Sequence, residues 1–415
     1  MAFFNNFRTK LNGNLNIIIG GAMKKLIAIF FGIMISVSLL MGSQARVSAL
    51  GNEPAMLIND DVSIDLFPQR INDFSLARVE GLGNIQPGYL LLIGDTGDKW
   101  GVWGSSTTTE NMFNIYRSMS DQSALKLSFL IGRDHTYQKN SSQKNKRTKR
   151  NLESTLTYGW DNINSEKALT VSLDYGPGSD LYDNDNYSSF DYTNYGAIDT
   201  TTTSGSAYQL NFTTSFSNRC NQGLLFFNHR YDRVGLSFGF GGHEVSTGSQ
   251  KNSEGSLSNF SLNARTFTFN TQNLNEQAQL YYGVGTGLGY MSSTNKDEIT
   301  DNKSSNHTFY FGRMNIAAGI ETYISNFDFR VGINRTNTLF RSSGSKLENG
   351  TTTEDSESHI GSSSGYGIAT GLGYNYKDLQ INVLLNNNIF NSGPQMIFDS
   401  NAGNIFASFD VVYSL

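Results

Sequence analysis

The stretch QLYYGVGTGLGYMSS, from Gln279 to Ser293, divides into two rows when every second residue is read. Leu280, Tyr282, Val284, Thr286, Leu288 and Tyr290 form one; Gln279, Tyr281, Gly283, Gly285, Gly287 and Gly289 form the other. A period of two belongs to an extended strand, whose successive side chains point to opposite faces. One face is apolar and bulky, the other almost without side chains.

The same alternation returns in eleven other segments of about ten residues, the length a tilted strand needs to cross a bilayer. The apolar rows begin at Leu125, Leu152, Leu169, Tyr208, Val234, Phe260, Tyr310, Phe327, Tyr366, Leu379 and Ile405. The cleanest is Tyr208, Leu210, Phe212, Thr214, Phe216; the row at Tyr310 continues through Met314, Ile316, Ala318 and Ile320. Connections alternate between long polar stretches (133–150, 176–207, 242–258, 291–306, 341–364, 391–403) and short ones (161–166, 217–223, 270–276, 324–326, 377–378). Long loops on one end and tight turns on the other are the pattern of an outer-membrane barrel with an even strand count. The expected fold is therefore an all-β transmembrane antiparallel β-barrel, since only a closed sheet satisfies its backbone in hydrocarbon. A secreted all-β repeat protein is the competing reading.

Composition agrees. The 415 residues include 28 Phe, 20 Tyr and 42 Gly but five Pro, which favours strands. A net charge of −5 offers no field for a polyanion, so no nucleic-acid partner is expected. The single Cys220 excludes an internal disulfide and a cysteine-based zinc site.

Met23-Lys24-Lys25 precedes the apolar run Leu26–Met41, and then Ser43-Gln44-Ala45 or Val47-Ser48-Ala49 supplies small residues for cleavage. Residues 23–49 read as a secretory signal peptide, and residues 1–22 as an upstream extension with Met23 the true start. Residues 50–72, with Pro54 and Pro68, lack alternation and read as a plug- or hatch-like segment; 73–415 is the barrel. DFSLARVEG (73–81) and GYLLLIGDTGDKWGVWG (88–104) read as a further up-and-down pair, with Tyr89, Leu91, Ile93 and Trp100, Val102 as partial apolar rows, giving 14 strands, with 12 as the alternative. TTTENMFNIYRSMSDQ (107–122) is expected as a periplasmic excursion.

This order of parts resembles the FadL-like family of outer-membrane channels for hydrophobic compounds. NEPA (Asn52–Ala55), the acidic Asn59-Asp60-Asp61 and about fourteen strands carry the likeness, while LFPQ (Leu66–Gln69) departs from the Asn-Pro-Ala-type turn of the family. The resemblance implies an N-terminal hatch and an uptake role. The C-terminal FDVVYSL (Phe409–Leu415) keeps the alternation that barrel-assembly machinery reads in such proteins.

Strand phase places ten charges inside the lumen: Lys126, Arg233, Arg265, Arg313 and Arg330 against Glu153, Asp174, Glu321, Asp328 and Asp410. Equal numbers leave no net field, so a strongly ion-selective pore is not expected, and a structural network of paired charges is the alternative role. The basic stretch Arg133–Arg150 could meet lipopolysaccharide or remain a solvated loop. Asp180, Asp183 and Asp185 lack the glycine and terminal glutamate of a calcium loop, so no metal or other cofactor is assigned. His243 and His307 point inward by phase, His135 and His359 fall in loops, and no serine is spaced as a nucleophile, so an enzyme is not expected. The sequence reads as a bacterial outer-membrane channel or uptake pore for small solutes, hydrophobic ones among them, with lipid and the assembly machinery as its surroundings. A surface or adhesin-type barrel, binding partners through its long loops, is the alternative.

Overall fold

Sixteen antiparallel strands close into a single barrel, β1 pairing with β16. The computed structural model describes residues 43–51, 53–58, 60–82, 87–106, 110–139, 143–184, 203–247, 250–299, 301–348, 352–385 and 406–415. The expected signal segment up to Met41 and the 391–403 connection lie outside the described residues, as does Asp185; the side chains of Asp180, Asp183 and His135 do too.

The twelve segments read by alternation are the last twelve strands, from β5 (Ser123–Lys139) to β16 (Phe406–Ser414). The expected counts of 14 and 12 fall short because the N-terminal part holds four strands. These are β1 (Leu76–Leu82), β2 (Gly88–Ile93), β3 (Trp100–Ser106) and β4 (Glu110–Ser120). The supposed excursion is β4. Its outward row, Phe113, Ile115, Arg117, Met119, contains an arginine, and its inward row contains the fully buried Tyr116, so neither row looks like one face. Arg117 is accommodated over the Trp100 ring at 4.5 Å.

The long connections are also different from the expectation. The ladders run on through 133–139 and 143–150, and through most of 242–258, 291–306 and 341–364. β10 (Gln250–Asn275) reaches 26 residues, β12 (Asn302–Ile324) 23 and β14 (Thr352–Tyr376) 25, well beyond a bilayer crossing of about ten. Hydrogen bonding continues there while apolar alternation stops. The short connections are tight turns, with Ser325 and Lys377 at positive φ, except the one expected at 217–223, where the strand runs to Cys220 and a longer loop, 221–228, follows.

Gly312 (φ +64°) interrupts β12 and shifts its register against β11 (Ala278–Asp297) between Gly285 and Leu288. The shift moves the outward row from Ile316 and Ile320 to Phe309 and Phe311. Tyr310, read from phase as outward, therefore turns inward over Gly289, where a Cβ would meet its ring at 2.4 Å. The bare row of the opening stretch has the same use. A Cβ on Gly283 or Gly285 would come within about 2.7 Å of Phe267 or Phe269, two inward rings of β10 that are wholly buried. These glycines make room for neighbouring rings. The opposite face stays exposed, with Phe240 at 53% and Val331 at 48%.

Closure by β1 and β16 is testable, since Ala77 faces Tyr413 across that seam. Directly opposed strand residues lie about 5 Å apart between Cα atoms, within disulfide range. Ala77→Cys with Tyr413→Cys, in a Cys220→Ser background, is expected to cross-link on mild oxidation and shift migration of the unreduced protein on gels. Absence of the cross-link while Leu76→Cys with Ser414→Cys also stays open would refute the seam.

Candidate functional site

The inward face is built around the N-terminal residues. Helix α1 (Ser43–Ala49), a 3-10 turn at Pro54–Met56, the single helical turn α2 (Ser63–Leu66) and a 3-10 turn at Pro68–Asp73 follow one another. Leu50, Met56, Ile64, Phe67 and Ile71 along them are almost fully buried. Phe67, Met56 and Leu50 pack with Phe267, Phe269, Tyr231 and Tyr281 of the wall; Ile64 and Ile71 pack with Leu90, Leu92, Tyr116 and Val412. Gly319 and Gly332 let the backbone of residues 49–51 approach the wall, where a Cβ would meet it at 2.5 Å or less. Gly51 turns the chain there at φ +105°, with Ile333 and Ala318 carbonyls about 3 Å from any Cβ.

Charges complete the contact. Arg46 places Nε 3.0 Å from Glu321 Oε1 and Nη2 2.7 Å from Oε2, donates to Tyr281 at 3.2 Å, and pairs with Asp60. Such a two-pronged guanidinium–carboxylate pair fixes orientation as well as charge. Glu321 also pairs with Arg330, which reaches Asp328 at 2.7 Å and Asn382 at 2.5 Å. Asp410 accepts from the Gly81 N–H at 2.8 Å and from the Ala45 N–H. Arg78 of β1 reaches Asp61 at 3.0 Å and Glu80 at 3.1 Å. Arg219 joins Glu166 at 2.5 Å, donates to the Ala55 carbonyl at 3.2 Å and lies 4.9 Å over the Phe67 ring. Glu53 holds Arg265 and accepts from Asn315 at 3.0 Å. Lys126 stands 4.0 Å from Asp65 and over the Tyr116 ring. Burial raises the Glu53 carboxyl above its usual range, against the opposing pull of Arg265. Burial likewise pushes Asp60 up to about 7, opposed by Arg46 and reinforced by Asp61.

All ten residues singled out by phase thus face the interior, in three groups. Lys126, Glu321, Asp328, Arg330 and Asp410 belong to the network around the N-terminal residues. Glu153 and Asp174 line a cavity of about 530 Å³ with Gln209, Asn211, Thr213 and Asn259, and among the described residues no Lys or Arg borders it. Arg233, Arg265 and Arg313 line an adjoining cavity of about 540 Å³ that shares Ser261 and Met291 with the first. Five charges of each sign balance in number but are sorted in space, which phase alone could not show. Phase did not bring out Arg78 and Arg219, although each continues an inward row (Leu76, Arg78, Glu80; Ser215, Ser217, Arg219). The acidic pair and the Glu53-Pro54-Ala55 portion of the quoted motif prove to be contact points.

Ser253 donates to Asp297 Oδ2 at 2.8 Å while His243 Nε2 lies 3.0 Å from its oxygen. The serine proton is directed to the carboxylate, so His243 is not placed as its base.

Glu321→Ala would leave Arg46 and Arg330 facing each other without their carboxylate, a loss of about 3–5 kcal/mol for a broken buried pair. Residues 43–73 should then become sensitive to limited proteolysis while the barrel keeps its heat-dependent gel shift. Unchanged protection would show that the pair does not hold the segment.

No protein-family model and no curated protein matches the chain. Among solved structures, the toluene transporter TodX of Pseudomonas putida is 10% identical, over 83% of this chain and 92% of that one, with a TM-score of 0.38. The ferric yersiniabactin uptake receptor FyuA of Yersinia pestis is 8% identical, over 75% and 68%, with a TM-score of 0.37. At such values the function has to be argued from the chain's own geometry.

Proposed function

We propose that the chain is a bacterial outer-membrane uptake channel for small solutes in which the N-terminal residues 43–73 act as an internal plug. One observation carries the reading: a segment of irregular backbone is held against the inner wall by ion pairs to Glu321, Arg265 and Arg78 and by hydrogen bonds to Asp410 and Arg219. A purely structural barrel fills its lumen with its own side chains; a tethered insert with cavities beside it is the arrangement of a pore that opens. The exposed apolar row outside the closed ladder supports a membrane setting, because irregular backbone at that depth is tolerated only inside protein or along a cavity. The FadL-like order of parts fits, with the quoted motif at the contacts, and assembly would depend on the barrel-assembly machinery. The strand extensions of β10, β12 and β14 favour a second role in surface recognition, where the basic stretch Arg133–Arg150 would face lipopolysaccharide.

Permeation separates these. In liposomes containing the full chain, arabinose efflux is expected to be slow, and removing residues 50–73 should speed it at least tenfold. Equal impermeability of both would leave only the surface reading.

On this reading export processing falls after Ala45, and the Ala45 contact to Asp410 belongs to the precursor alone. Cleavage after Ala49 would remove Arg46, whereas cleavage after Ala45 keeps it against Glu321. N-terminal sequencing of protein from outer membranes is expected to begin at Arg46; a start at Leu50 would contradict the assigned role of Arg46.

A further inference from the structure

Three guanidinium groups border the 540 Å³ cavity, and one carboxylate answers them. Arg233 of β9 (His229–Thr247) and Arg265 of β10 are direct register partners on the inward face. Side chains so placed have Cβ atoms about 5 Å apart, a spacing at which like charges destabilise a sheet. Arg265 is compensated by Glu53 of the plug. Arg233 reaches only the Ser215 hydroxyl, at 3.5 Å, and Arg313 lies 5.9 Å over the Tyr310 ring; among the described residues neither has a carboxylate partner. Asn263, Asn315 and Thr336 complete a lining of polar donors. A protein keeps unpaired arginines in register on a lumen wall at a cost, and fork-shaped donors of this kind match carboxylate and phosphate oxygens.

Resting on the channel reading, we infer that this cavity is a binding station for a small polar anion, a dicarboxylate or a phosphate-bearing solute, which competes with Glu53 for Arg265. Glu53 is then the resident stand-in for the solute. An anion arriving at Arg233 and Arg313 becomes a rival acceptor for the guanidinium that holds the plug, so occupancy and plug release are coupled through one side chain. The desolvated state of Glu53 works in the same direction, since a buried carboxylate regains water when displaced. The adjoining cavity bearing Glu153 and Asp174 repels the same anion, so the station is a local stop and the lumen as a whole is not anion-selective. This explains how balanced charge totals coexist with a selective site.

The test uses the full-length protein in detergent, with glutarate and inorganic phosphate as separate probes and glycerol as the neutral control, read by calorimetric titration. The wild type is expected to bind at least one anion saturably and glycerol not at all. Arg233→Gln with Arg313→Gln should weaken that binding at least tenfold, and Glu53→Gln, which frees Arg265, should strengthen it several-fold. Glutarate alone or phosphate alone binding identifies the solute class. Both arginines lie exposed in the lumen, and retained heat-dependent gel migration checks that the variants fold. Absence of saturable binding to either anion, binding unchanged in the double arginine variant, or Glu53→Gln binding no more tightly would each overturn the station. Arabinose efflux from liposomes carrying the plug-deleted chain, measured with and without the arginine changes, keeps the two readings apart: intact efflux with failed anion binding sinks the station and leaves the channel standing.

Discussion

The hydrogen-bonded seam between β1 and β16 is the constraint on which everything else rests. Without it the sheet would present two free edges, and every unpaired N–H and C=O along them would demand a partner that hydrocarbon cannot supply. Once the ring closes, the two faces of each strand acquire different solvents. The outer face can carry Phe240 and Val331 exposed, and the inner face becomes a compartment whose contents are decided by side chains alone.

That compartment is not filled uniformly. Where the N-terminal residues pass, the wall offers glycines at 319 and 332, aromatic rings at 267 and 269, and charges whose partners are on the insert. Beside them it leaves cavities of more than 500 Å³, one lined by Glu153, Asp174 and amides, the other by Arg233, Arg265 and Arg313. Ion pairs of this kind are a poor source of net stability, because desolvation offsets much of their attraction, but breaking one partner away is expensive. They fix the segment in one orientation more than they add to stability.

The balance between holding and releasing runs through few residues. Glu321 stands between Arg46 of the insert and Arg330 of the wall, so it ties the insert to a network that also includes Asp328 and Asn382. Glu53 stands differently: its partner Arg265 belongs to a group of arginines in surplus. The first contact is closed on itself and the second is open to competition.

Alternation by itself determined twelve of the sixteen strands and most of the tight turns at one end, because a period of two is a local property that backbone geometry enforces residue by residue. It failed where a residue serves a neighbour instead of a solvent: Arg117 against Trp100 and Tyr116 beneath the insert hid β4, and Gly312 reversed the direction of Tyr310. The continuation of the ladders past the apolar rows was equally illegible, since backbone hydrogen bonds by themselves leave no mark on side-chain choice. Which of the ten charges meet the insert and which are left facing a cavity was decided only by the tertiary structure. Partners such as Arg46 and Glu321 lie far apart in the chain, and only ring closure brings them within bonding distance.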